Sequence, residues 1–167
     1  RRRLRTSLAA HDVNLVAGSV CWGPLADQYE KDFMRRAAKK GSRQNLSQRL
    51  AVGTLADALI YSKNQKLRQD IQHLFNYEHK ALKVDEPLTI VAHSLGVLCA
   101  VDWLRDNPSV KVRNFITIGC NIGVFEMGGI FQAPLQLAPV GVWQNYYSDR
   151  DFLGYALANC PGFEMVS

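Results

Sequence analysis

Five residues that favour extended backbone, Leu88-Thr89-Ile90-Val91-Ala92, run directly into His93-Ser94-Leu95-Gly96 and then into an apolar stretch ending at Leu104. Pro87 bounds the run on its N-terminal side. A continuous β-rich run of this kind predicts a parallel strand buried on both faces. The stretch from Leu95 is apolar almost all round in its first turns, which predicts a helix packed deep against a sheet. The chain must turn sharply at Ser94 to join the two. The expected architecture is α/β, with a mainly parallel sheet flanked by helices.

The remaining pattern fits that layering. Leu4, Leu8 and the alanines before His11 suggest a short amphipathic helix, and Val13 to Val20 reads as an apolar strand that Gly23-Pro24 breaks. From Pro24 the positions Leu25, Tyr29, Phe33 and Ala37 recur at helical spacing, with Pro24 suited to a first turn. Residues 39–43 read as a polar loop. Leu46, Leu50, Leu55 and Leu59 line a further helix, and Leu67, Ile71, Leu74, Phe75 and Leu82 line another. Phe115 to Ile118 is a second buried strand ended by Gly119, and Val140 to Tyr147 a third, followed by the polar turn Ser148-Asp149-Arg150-Asp151. No repeat, low-complexity tract or linker divides residues 1–167, so a single domain is expected.

Composition narrows the function classes. The 167 residues are 47% hydrophobic and 21% charged, as in an ordinary globular domain. The net charge of +5 is concentrated at Arg1, Arg2, Arg3 and Arg5, with no basic face or interleaved aromatics to suggest a nucleic-acid surface. No apolar run approaches the roughly 18 residues of a membrane span, and no secretory signal is visible. Cys21, Cys99, Cys120 and Cys160 are irregularly spaced with no C-x-x-C, so metal binding is not expected. Reduced cysteines in a cytoplasmic protein are the simpler reading, with Cys99 a buried thiol.

Ala92-His93-Ser94-Leu95-Gly96 is the G-x-S-x-G pattern with alanine first. In this pattern a serine sits on a strained strand-to-helix turn and its hydroxyl projects above the sheet. Crowding at the turn is expected to require small residues at positions 92 and 96. The following helix directs its N-terminus at the site, making the Leu95 N–H an oxyanion donor. His93, on the same turn, is expected to brace it. Asp102 lies eight residues, about two helical turns, beyond Ser94 and is expected to have a helix-end or surface role.

The segment LTIVAHSLGVLCAVDWL resembles the nucleophile region of lipase- and esterase-type α/β-hydrolases, in particular a bacterial group with HSLG and an acidic residue in the helix that follows. FITIGCNIG is similar to that group's next strand, which typically continues G-S-P-L; Asn121 stands where the pattern has proline. VWQNYYSDRDFLGYAL resembles its later W-x-N-x-Y-(x)3-D stretch, and ADALIYSKNQKLRQDI its G-D-x-x-x-Y helical segment. The resemblance spans most of Val13 to Tyr155. It implies an α/β-hydrolase fold with Ser94 as nucleophile and Asp151 as catalytic acid, Asp149 being the alternative acid, and no metal or organic cofactor. The apolar segment from Asn121 to Pro139 either walls an acyl pocket or packs the core.

A serine hydrolase also needs a histidine base. The chain holds His11, His73, His79 and His93, and none follows Asp151, where the resembled order places it. His73 and His79 read as surface or helix-packing residues. The family's first strand and its His-Gly-type oxyanion loop have no counterpart before Leu4. The expectation is a partial domain, incomplete at both ends, that hydrolyses carboxylic esters or related acyl substrates once its base is supplied. A binding or scaffold protein with the same fold and no catalysis is the alternative. Substrate identity and oligomeric state are not readable in the residues.

Overall fold

The computed structural model describes residues 16–38, 59–123, 140–148 and 163–166. In chain order its elements are α1 (Gly23–Ala38), α2 (Gln65–Leu82), β1 (Leu88–His93), α3 (Leu95–Asp106), β2 (Val112–Ile118), β3 (Val140–Tyr146) and β4 (Phe163–Val166). Residues 59–63 are also helical and lead into α2. The amphipathic segment around Leu4, the loop at 39–43, most of the Leu46–Leu59 helix, the 124–139 segment and the 149–151 turn lie outside the described residues.

Among the described residues, four parallel strands form one sheet in the order β1-β2-β3-β4. The fourth, Phe163–Val166, was not foreseen in the sequence pattern: a run of four residues is too short for an alternation to register. Register brings His93, Ile118, Tyr146 and Val166 to one level at the C-terminal edge. One face presents Ile90, Phe115 and Trp143 in one row and Ala92, Thr117 and Asn145 in the next. This face packs against α3, on which Leu95 and every residue from Val97 to Leu104 are buried. Above α3 lies α2, which contributes Leu67 and Ile71 to the core; Phe75 stacks on Trp103 at 5.4 Å between ring centroids.

Two expectations about strands need correction. Burial of β1 on both faces does not hold, because Val91 on the second face is 63% exposed and Thr89 is exposed beside it. Among the described residues, α3 packs against the opposite face of β1. The second correction concerns Val13 to Val20. Residues 16–22 carry no strand. The Ser19 N–H donates to Glu78 Oε2 on α2 at 3.1 Å instead of joining a ladder. Gly18 permits that approach, since a Cβ there would lie 2.7 Å from the same carboxylate oxygen.

Candidate active site

Strand β1 delivers the chain to Ser94 at the sheet's C-terminal edge, and α3 begins at the next residue. Ser94 has φ 51° and ψ −127°, a sparsely populated conformation for a residue with a Cβ. Such strain costs of order 1–3 kcal/mol and persists only where surrounding structure enforces it. Here the enforcement is visible on both sides. The Ser94 N–H donates to Ile118 O at 3.0 Å, extending the β1–β2 ladder into the turn, and Ser94 O accepts from Val97 N at 2.9 Å, starting the helix. The backbone is committed to two elements in consecutive peptide units.

The side chain of Ser94 makes no capping bond to α3 although the residue occupies the N-cap position. The positive φ turns the hydroxyl away from the helix amides that a serine at this position ordinarily serves. Leu95 is the first helical residue, so its N–H belongs to the initial turn, where amides have no intrahelical carbonyl to bond, at the positive end of the helix dipole. Leu95's own side chain is buried, and so is that of Ala92. At Gly96 the expected crowding is not found: a Cβ would meet nothing within 4 Å. The turn is tight at residue 92, which faces the covered side of the sheet, and open at residue 96, which does not contact it.

His93 does not brace the turn from beneath. Strand alternation places it with Thr89 and Val91 on the uncovered face, and it is exposed. It lines an open cleft of about 250 Å³ at the strand ends together with Ile118, Gly119, Tyr146, Tyr147 and Ser148. Gly119 has φ 56° and donates its N–H to Tyr146 O at 3.0 Å, so the β2–β3 ladder also continues past the strand ends. Ser148 brings the chain to the threshold of the next turn; Asp149 and Asp151, the two candidate acids, lie outside the described residues. So does His11. His73 is exposed on α2. His79 packs edge-on against Trp103, nine residues or about 13 Å along α3 from Ser94.

Asp102 departs most from its expected surface role. It is 5% exposed and sits among helices. Its Oδ2 accepts from Tyr61 Oη, Arg68 Nε and Arg68 Nη2, each at 3.0 Å, and Arg105 Nη1 stands 3.9 Å from Oδ1. Gln72 Nε2 donates to Tyr61 Oη and to Cys99 O. Burial, then the neighbouring Cys99 and Asp102, push the Tyr61 phenol far above its ordinary value. Burial first and the Asp102 charge second push the Cys99 thiol up to about 12. Partial burial works against the Arg68 charge, but Asp102 and Tyr61 outweigh it and hold the guanidinium above its ordinary value. This is an anchor between the 59–63 segment, α2 and α3. The Asp102–Tyr61 pair joins the acidic residue after HSLG to the tyrosine of the A-D-x-x-x-Y segment, a contact that neither motif discloses alone.

Asn121, just past β2, is wholly buried, and neither its Oδ1 nor its Nδ2 has a hydrogen-bond partner. Such a pair of orphaned groups is costly in a core. Of the described cysteines, Cys21 and Cys99 are free thiols, and Cys99 and Cys120 are buried. Among the described residues no cluster of His, Cys, Asp or Glu is placed to hold a metal ion, and no helix is long and apolar enough to cross a membrane. Comparison with family models, curated proteins and solved structures finds no match.

Proposed function

We propose that the chain is the central part of an α/β-hydrolase domain and that it acts as a serine hydrolase of carboxylic esters or related acyl groups. The observation that carries the reading is Ser94: a helix-initiating serine in a strained conformation whose hydroxyl is not used to cap its helix. An incidental serine at a strand-to-helix turn has no reason to bear that strain. The parallel β1–α3–β2 arrangement supports the same reading.

Ser94 Oγ attacks the acyl carbonyl while a histidine accepts its proton, and Asp151 orients that histidine. Asp149 is the alternative acid, two residues nearer β3. The Leu95 N–H donates to the developing oxyanion. The alcohol leaves with the proton returned by the histidine, and water then releases the acyl group by the same route. The base in this scheme comes from outside residues 1–167. Of the described histidines, His79 is committed to Trp103 and His73 is exposed on α2, while His93 lies at the cleft. Cys21 and Cys99, both free thiols, fit a reducing, cytoplasmic setting.

The test is p-nitrophenyl ester hydrolysis by this chain beside a longer one extended at both ends. The expected result is turnover by the longer protein, lowered by several powers of ten in Ser94→Ala, and little or none by the shorter one. Equal turnover by both would place the base within residues 1–167, with His93 the described histidine at the cleft. No Ser94-dependent turnover by the longer protein would leave the binding or scaffold reading.

A further inference from the structure

Two side chains of β3 converge on one hydroxyl of β2. Thr117 Oγ1 donates to Asn145 Oδ1 at 2.9 Å and accepts from Trp143 Nε1 at 3.1 Å; Gln144 O stands 3.4 Å away as a second acceptor. Thr117 and Asn145 are wholly buried and Trp143 nearly so. Apolar residues in these positions would hold the two strands together without needing any partner. What a buried hydroxyl–amide–indole set adds is direction, because its groups are satisfied in one relative placement of the strands.

That direction matters for register. A one-residue slip of β3 along β2 would turn every side chain to the opposite face, and core burial alone excludes it. A two-residue slip keeps both faces and the parallel ladder, so apolar patterning does not exclude it. It would set Asn145 opposite Phe115 or Gly119 and break the Thr117–Asn145 hydrogen bond. It would also displace the strand end by about 6.6 Å. The observed register carries directly into the site. Gly119 N–H bonds Tyr146 O, and Ile118 O accepts from Ser94 N, so the height of β3 is transmitted through β2 to the serine.

We propose that Thr117 is a positioning residue: by fixing the register of β3 on β2, it sets the level at which β3 ends, at Tyr146, relative to Ser94. The proposal rests on the serine-hydrolase reading. Thr117→Val keeps the shape and removes the hydroxyl, whereas Thr117→Ser keeps the hydroxyl. In this chain, amide hydrogen exchange in Thr117→Val should accelerate about 10- to 100-fold at Gly119 and Ser94 relative to Ile71 and Val101, as expected for local opening. Thr117→Ser should stay within about threefold of the parent. In the longer protein, Thr117→Val should lower kcat at least about tenfold with KM little changed, and Thr117→Ser should restore it, the pattern of a defect felt in the transition state alone. Uniform acceleration of exchange along the chain, or an unchanged kcat, would overturn the proposal. Absence of Ser94-dependent turnover in the unsubstituted longer protein would overturn the hydrolase reading and this one with it. The exchange pattern at Gly119 and Ser94 tells that failure apart from a failure of the register argument.

Discussion

Helices α2 and α3 both begin on a small polar residue, and the two residues do opposite things. Asn64 sits before α2 with φ −101° and ψ 93°, ordinary extended backbone, and its side chain accepts from Leu67 N at 3.0 Å. Ser94 sits before α3 with φ 51° and ψ −127° and makes no side-chain cap. Asn64 stabilises its helix at no conformational cost. Ser94 carries strain and leaves its hydroxyl uncommitted. A polar residue at a helix start is ordinarily explained by the helix; at Ser94 that explanation does not apply, and the nucleophile proposal rests on that difference.

Because α3 forgoes a cap, it must be held by other means. Its side chains are buried from Val97 to Leu104, and Asp102 ties it to Tyr61 and Arg68. The largest effect predicted here is therefore at Asp102. Asp102→Ala should destabilise the chain by about 2–3 kcal/mol, below the range usual for breaking a buried pair. The reason for the discount is that Arg68 and Arg105, each with a 45% exposed side chain, can turn to water. Tyr61, wholly buried, cannot, and would lose its acceptor. Asp102→Asn keeps an acceptor for Tyr61 and should cost about half as much. Urea midpoints of the two variants read this directly. Equal losses would mean that the charge, and not the Tyr61 bond, anchors α3.

The contrast between the two helix starts was only half legible in the sequence. Leu88 to Leu104 announced a strand, a turn and a deeply packed helix, and each is present because apolar runs decide such elements locally. The strained turn itself was readable at Ser94 because few residue types fit that spacing. The burial of Asp102 was hidden, since its partners lie 34 and 41 residues away at Arg68 and Tyr61. A charged residue on a helix is normally solvated, and only tertiary contact reverses that. Thr117 was hidden likewise inside an apolar strand, where its hydroxyl looked incidental until Trp143 and Asn145 met it. The uncovered face at Val91 was hidden for a third reason: composition reports what a strand tolerates on each face, not what is packed there.

A smaller effect tests the α2 side of the comparison. Asn64→Ala removes the acceptor for Leu67 N and should cost about 1 kcal/mol of stability, the usual worth of a helix cap. Ester turnover by the longer protein should be unchanged, because among the described elements α2 packs on α3 and not on the strand ends that carry the site. A thermal melt and a rate at one temperature suffice. A fall in kcat comparable to that of a Ser94 variant would mean that α2 is coupled to the elbow more closely than its packing suggests.

The smallest effect is the one on which the comparison turns, and it lies in a sign. Glycine at position 94 relieves a backbone strain of order 1–3 kcal/mol, because without a Cβ the positive φ is no longer penalised. Against this stands the greater chain entropy that glycine loses on folding, about 0.5–1 kcal/mol. No cap is lost, since Ser94 makes none. Relief outweighs entropy, so Ser94→Gly should raise stability by roughly 1 kcal/mol while removing any Ser94-dependent turnover. At Asn64 there is no strain to relieve, and Asn64→Gly should lower stability by a few tenths of a kcal/mol. The same replacement should thus shift the melting temperature upward at one helix start and slightly downward at the other. A downward shift at both would mean that the Ser94 backbone is not strained in solution, and the principal reason for treating its hydroxyl as a reserved nucleophile would be gone.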